Sequence, residues 1–136
     1  MQSDNQTVPI SKKSLWAGRI VSALPVLFLL MDGVMKLFKP AFVVDATVKL
    51  GYTENTIVPL GIVLLAGTVL YVVPQTSVLG AILLTGYLGG AVATHVRVGD
   101  PLFSHVLFPA YLGVLIWLGL YLRERRLHVL VPLRKG

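Results

Sequence analysis

The chain has no cysteine among its 136 residues. That absence removes disulfides, thiolate metal ligands, iron–sulfur clusters and thiol relay chemistry. Any redox role must then rest on a bound cofactor or a partner subunit. Charge is scarce too: Asp, Glu, Lys and Arg make up 13% of the residues, against about a quarter in soluble domains. Acidic groups are the rarest, 6 against 12 Lys and Arg. The deficit excludes a disordered tail protein and a soluble α/β enzyme, and the length leaves no room for a separate catalytic domain.

What is present is apolar. A hydrophobic content of 55% and a mean hydropathy of +0.78 mark an integral membrane protein. Four apolar stretches, at about 14–38, 57–73, 78–95 and 105–122, approach the ~17–25 residues of a span. Each must be helical, because backbone polar groups in lipid need partners within the segment. The expected fold is all-α, an antiparallel four-helix membrane bundle over 14–122. It is flanked by a polar tail, 1–13, and a basic tail, 123–136. Lys12 and Lys13 ahead of an apolar core imitate a signal peptide, but Asp32 and Lys36 follow the core and no A-x-A-like cleavage site does, so the segment reads as a retained helix.

The net charge of +6 would suggest nucleic acid in a soluble protein. Here eight of the twelve basic residues fall at the two ends: Lys12, Lys13, Arg19, Arg123, Arg125, Arg126, Arg134 and Lys135. Lys36, Lys39, Lys49 and Arg97 fall on the other side. By the positive-inside rule both termini are cytoplasmic, and no nucleic-acid partner is expected. Trp16, Trp117 and Tyr121 lie near the same boundary, where amphipathic rings prefer to sit. The Arg123-Glu-Arg-Arg run reads as a topology determinant with affinity for anionic lipid, not as a binding site.

Small residues crowd the third span, including Gly86-x-x-x-Gly90, a spacing that lets helices approach closely in lipid. Pro25 and Pro109 are expected to kink the first and last spans. The long first connection, Lys39 to Asn55, reads as a polar loop, and Gly99-Asp100-Pro101 as a turn.

Ionisable residues inside spans are costly and need a reason. Up-and-down topology carries Asp32, Lys36, His95, Arg97, Asp100 and His105 to the outer leaflet; the cytoplasmic half has no comparable cluster. Asp32 and Lys36, spaced i, i+4, can pair with each other. Alternatively Asp32 accepts from Arg97 or a histidine across the bundle. His95 and His105 flank a turn and are placed to face one another, as a head-group site or a proton shuttle. Two histidines fall short of a metal site, so none is expected. Bis-histidine haem is disfavoured because the ligands come from a turn. Tyr87 and Thr85 read as packing residues, with a cavity as the alternative.

The string Gly86-Tyr-Leu-Gly-Gly-Ala-Val-Ala-Thr-His-Val-Arg-Val-Gly-Asp-Pro-Leu-Phe, then His105-Val-Leu-Phe-Pro, strongly resembles the DoxX-like family of small four-helix membrane proteins. Asp32-Gly-Val-Met-Lys-Leu and Trp117-Leu-Gly-Leu-Tyr-Leu-Arg add to the resemblance, which spans about residues 15–134. It implies a multi-pass bundle in a bacterial plasma membrane. The wider superfamily includes a subunit linked to thiosulfate:quinone oxidoreduction and proteins tied to thiol redox balance. The thiol-linked members use cysteines that this chain lacks, which leaves a quinone-facing or assembly role.

The reading that follows is a redox-associated subunit binding a lipophilic molecule such as a quinone, contacted by Asp32, Lys36, His95, Arg97 and His105. A redox-protein partner or a second copy of the chain is compatible with it. The alternatives are a non-catalytic membrane scaffold, an oligomeric small-solute transporter, and an enzyme using a histidine–aspartate pair as acid and base.

Overall fold

A computed structural model describes residues 10–130; the outermost parts of both expected tails, with Arg134 and Lys135, lie outside the described residues. The described chain is all-α. Its helices are α1 (Lys12–Phe38), α2 (Ala41–Lys49), α3 (Ile57–Val72), α4 (Ser77–Arg97), α5 (Phe108–Arg123) and α6 (Arg125–Leu130). Four of them, with their short 3-10 or π extensions, are long and apolar enough to cross a membrane. α1 opens on Ser11, whose hydroxyl accepts from the Ser14 N–H at 3.1 Å, an N-cap that satisfies an otherwise orphaned donor. It runs unbroken through the buried Pro25.

The four spans form a ring. α1 packs on α3 and α5, and α4 packs on the same two helices from the far side. The core is thin: Leu29, Leu64, Tyr71, Ala81, Leu84, Ile116 and Leu120 are its most buried members. Leu24, Leu27, Ile62, Val69, Ile82 and Val114 instead point outward. That inversion suits a chain solvated by acyl chains, where packing rather than hydrophobicity joins helices. The start of α1 meets the end of α5, with the Ser14 hydroxyl donating to the Leu122 carbonyl at 2.5 Å, so both ends of the described chain share one end of the bundle.

Close approach occurs where glycines remove Cβ atoms. A Cβ on Gly119 would lie 2.2 Å from the Ser22 Oγ, and one on Gly18 would lie 2.7 Å from the Gly119 carbonyl oxygen. Gly86, Gly89 and Gly90 behave otherwise: nothing lies within 4 Å of a Cβ placed there. The expected Gly86-x-x-x-Gly90 contact is therefore not made within the chain. α4 stands clear of its neighbours at this level, and the absent side chains become cavity wall.

Two connections differ from the sequence reading. The expected polar loop after α1 contains α2, set off by Pro40 at its N-cap and ended by Gly51 at φ 96°. Its β-branched run (Val43, Val44, Thr47, Val48) and short length hide it from periodicity. Pro109 does not interrupt a span. A π turn, Leu102–Val106, precedes α5, and Pro109 occupies its first turn, where a missing N–H costs no helical bond.

Candidate functional site

At the end of the bundle away from the termini, the ring opens into a cavity of about 440 Å³ between α1, α4 and α5, roofed by α2 and the segment after it. Phe28 and Phe108 form part of its apolar wall and meet edge to face at 5.1 Å. Its polar wall is assembled from three places in the sequence. α1 supplies Asp32 and Lys36, α4 supplies Tyr87, Thr94 and His95, and the α2–α3 connection supplies Tyr52.

Lys36 Nζ donates to Asp32 Oδ1 at 2.8 Å, so the i, i+4 pair forms. Thr94 spends its own proton on the Gly90 carbonyl at 2.8 Å, so Tyr52, 2.8 Å from the Thr94 Oγ1, donates to it. That bond ties the roof to α4. The Tyr87 hydroxyl differs: it lines the cavity, and no described residue provides it with a hydrogen-bond partner. A half-buried phenol left so is an invitation to a ligand oxygen.

His95 is held from behind. Its Nδ1 lies 2.6 Å from Asp100 Oδ2, an acceptor delivered by the turn through Gly99 at φ 77°. A carboxylate on Nδ1 orients the ring and leaves Nε2 as the second exchange position. His105 approaches edge-on, with ring centres 5.9 Å apart, and its own Nδ1 is 2.8 Å from the Ser104 Oγ. The two histidines thus face each other, but only His95 lines the cavity. Among the described residues no three His, Asp or Glu side chains gather as a metal site.

Two expected partnerships are not formed. Asp32 accepts from neither Arg97 nor a histidine, because Lys36 on its own helix holds it and Asp100 holds His95. Arg97 lies outside the cavity and donates to the Leu50 carbonyl at 2.6 Å. It closes over Gly51, where a Cβ would sit 2.6 Å from the guanidinium, and so anchors the end of α2. Asp32, Lys36 and His95 are brought together; Arg97 and His105 stand behind them. Tyr52 and Thr94 escape the sequence reading because an aromatic in a polar connection and a threonine among small residues carry no periodic signal. Tyr87 lines a cavity, the less favoured of its two readings.

A separate apolar groove of about 590 Å³ lies between α4 and α5, and Leu88 and Pro109 border both it and the cavity. Gly89 and Gly113 thin the groove's walls, and Trp117 crosses it to donate to the Thr85 Oγ1 at 2.6 Å. The cavity itself sets a polar wall against an apolar one, which suits an amphiphile with an oxygen-bearing head and a hydrocarbon tail.

A family model described as "DoxX-like family" matches residues 20–119. No curated protein and no solved structure matches the chain.

Proposed function

The chain belongs to the DoxX-like family, and from that premise we propose that it binds a lipophilic molecule with an oxygenated head, of the quinone class, in the cavity lined by Asp32, Lys36, Tyr52, Tyr87 and His95. The observation that carries this reading is the Tyr87 hydroxyl, without a hydrogen-bond partner among the described residues, beside the Asp32–Lys36 pair and the Asp100-held His95. About 440 Å³ lies within the ~300–1,000 Å³ of small-molecule sites. Phenol and ammonium groups donate to carbonyl oxygens, while the His95–Asp100 pair can take up or release the proton that accompanies reduction or oxidation of such a head. The tail lies against the cavity's apolar wall, which includes Phe28, Phe108 and Leu112. With no cysteine in the chain, electrons come from or go to a partner redox protein, and the chain serves as its membrane subunit. The setting is the bacterial plasma membrane.

The test is retention. The full chain, purified in mild detergent, is equilibrated with a short-chain ubiquinone and the bound fraction measured by extraction and mass spectrometry. Binding near one per chain is expected, falling about tenfold in Tyr87→Phe and in His95→Ala, the loss of one or two hydrogen bonds to the head. Equal retention by both variants and the parent removes the site and leaves an assembly role with a protein partner.

Orientation follows from the basic residues gathered at the terminal end: the termini are cytoplasmic and the cavity opens toward the outer leaflet. A chain without cysteine permits a clean test. Ser104→Cys is expected to react with a membrane-impermeant maleimide in intact cells, and Lys13→Cys only after lysis. The reverse pattern would place the cavity on the cytoplasmic side.

A further inference from the structure

The opposite end of the bundle carries its own polar chamber, of about 400 Å³, between α1, α3 and α5. We propose that it is a binding site for a phosphate group, held by Arg123 and Arg19. This inference is independent of the quinone reading.

Arg123, the last residue of α5, turns back into the bundle instead of outward to water. Its Nε donates to the Ser22 Oγ on α1 at 3.1 Å, and its guanidinium carbon lies 4.8 Å from the Tyr71 ring centre on α3. Tyr71 is fully buried, and its hydroxyl donates to the Ile116 carbonyl at 2.6 Å. That uses the phenol's only proton, so Ser22, 3.0 Å away, donates to Tyr71 and is left to accept from Arg123. The relay runs one way, from guanidinium to serine to tyrosine to backbone, and fixes the guanidinium plane.

Only Nε is consumed. No described carboxylate pairs with Arg123, and the donors on its two terminal nitrogens have no protein acceptor among the described residues. Arg19 is likewise without a carboxylate and rests on the Trp16 ring at 5.0 Å. At the other end of the bundle Lys36 and Lys39 are each neutralised, by Asp32 at 2.8 Å and Glu54 at 3.3 Å. The chain thus pairs Lys36 and Lys39 where it has carboxylates to do so, and lines one chamber with half-buried Arg123 and exposed Arg19 where it does not. Glu124 also stands at this rim, with an interaction of its own, leaving two cations against one anion.

A guanidinium with two parallel donors free fits the oxygens of a phosphate, and Arg is the side chain suited to that geometry. The start of α4, whose Ser77 lines the chamber, adds the positive end of a helix dipole. Deeper in, Ala23, Val26 and Val72 make the lining apolar, so the phosphate has room for a glyceride behind it. The ligand chemistry is a phosphate anion, whether borne by a phospholipid or free in water.

The experiment uses the purified full chain in detergent, with native mass spectrometry and thermal melting as readouts. The probes are phosphatidylglycerol, diacylglycerol as the phosphate-free lipid, and inorganic phosphate. One phosphatidylglycerol per chain is expected, retained about tenfold better than diacylglycerol, and weakened about tenfold in Arg19→Gln and in Arg123→Gln, as loss of a charge-assisted bond implies. Arg19 is exposed, so its variant keeps the fold even if the Arg123 variant does not. Competition by millimolar inorganic phosphate, with a raised melting temperature, would identify the free anion as ligand; lack of competition identifies the lipid. Equal retention of phosphatidylglycerol and diacylglycerol without any effect of phosphate, or unchanged binding in Arg19→Gln, overturns the proposal.

Discussion

Gly80→Ala is expected to cost the bundle its fold, the largest effect of any single methyl in this chain. The added Cβ would stand 2.2 Å from the Tyr71 nitrogen, 2.5 Å from its Cα and 2.7 Å from the Leu70 carbonyl carbon. All three are backbone atoms, so no rotamer change relieves the clash and α3 must separate from α4. The hairpin is held tight at this point: Ser77 Oγ donates to the Tyr71 carbonyl at 2.8 Å and Thr76 Oγ1 to the Leu70 carbonyl at 2.7 Å, satisfying the last carbonyls of α3. Separation breaks those bonds as well, and the combined cost is at least about 3 kcal/mol, the upper range for overpacking. Gly86→Ala on the same helix is the control. It meets nothing within 4 Å and should gain the ~0.5–1 kcal/mol by which alanine exceeds glycine in a helix. Melting curves and size-exclusion profiles in detergent check both. A Gly80→Ala protein that melts with the parent would show that α3 and α4 are not in contact as described.

Asp32→Asn should show the second-largest effect, and its repair separates folding from binding. The Lys36 side chain is 14% exposed and Asp32 34%. Removing the carboxylate leaves an ammonium in a largely dry place. Breaking a fully buried pair costs about 3–5 kcal/mol, and the partial exposure of Asp32 reduces that to about 2 kcal/mol. Lys36→Met in the Asp32→Asn background removes the stranded charge and should restore most of the stability, a non-additivity read from a double-mutant cycle. Ligand retention gives the second readout. If the cavity binds an oxygenated head, the repaired double variant melts near the parent yet holds about tenfold less short-chain ubiquinone, having lost a charged donor. A double variant that is both stable and fully retentive would confine Asp32 and Lys36 to mutual neutralisation.

The two chambers share a construction. In each, a polar side chain near a helix end is oriented from behind by a residue distant in sequence or across a turn: Asp100 behind His95, Ser22 and Tyr71 behind Arg123. Each also leaves donors without an acceptor among the described residues, Tyr87 at one end and the Arg123 terminal nitrogens at the other. In a chain with so few charges, positions of this kind stand out because neither lipid nor core rewards them.

Composition and hydropathy by themselves determined that this chain is a multi-pass helical membrane protein. Lipid permits no other backbone arrangement for four apolar runs of this length, and one of the connections, Pro74–Thr76, leaves α3 and α4 nowhere to lie but side by side. The i, i+4 spacing of Asp32 and Lys36 determined their pairing in the same local way. Tertiary structure decided which small residues touch. Gly18, Gly80 and Gly119 are contact points while Gly86 and Gly90 face a cavity, and nothing in the spacing distinguishes the two sets, because contact depends on which face of α4 the ring turns inward. It also decided the polar chambers. Tyr52 reaches Thr94 across 42 positions, and Arg123 reaches Ser22 across 101. The sequence reading saw no cluster at the terminal end because serine and tyrosine bear no charge to draw the eye and Arg123 resembles any basic residue at a span's end. Only the folded ring, by setting α1, α3 and α5 around one space, turns those side chains toward each other.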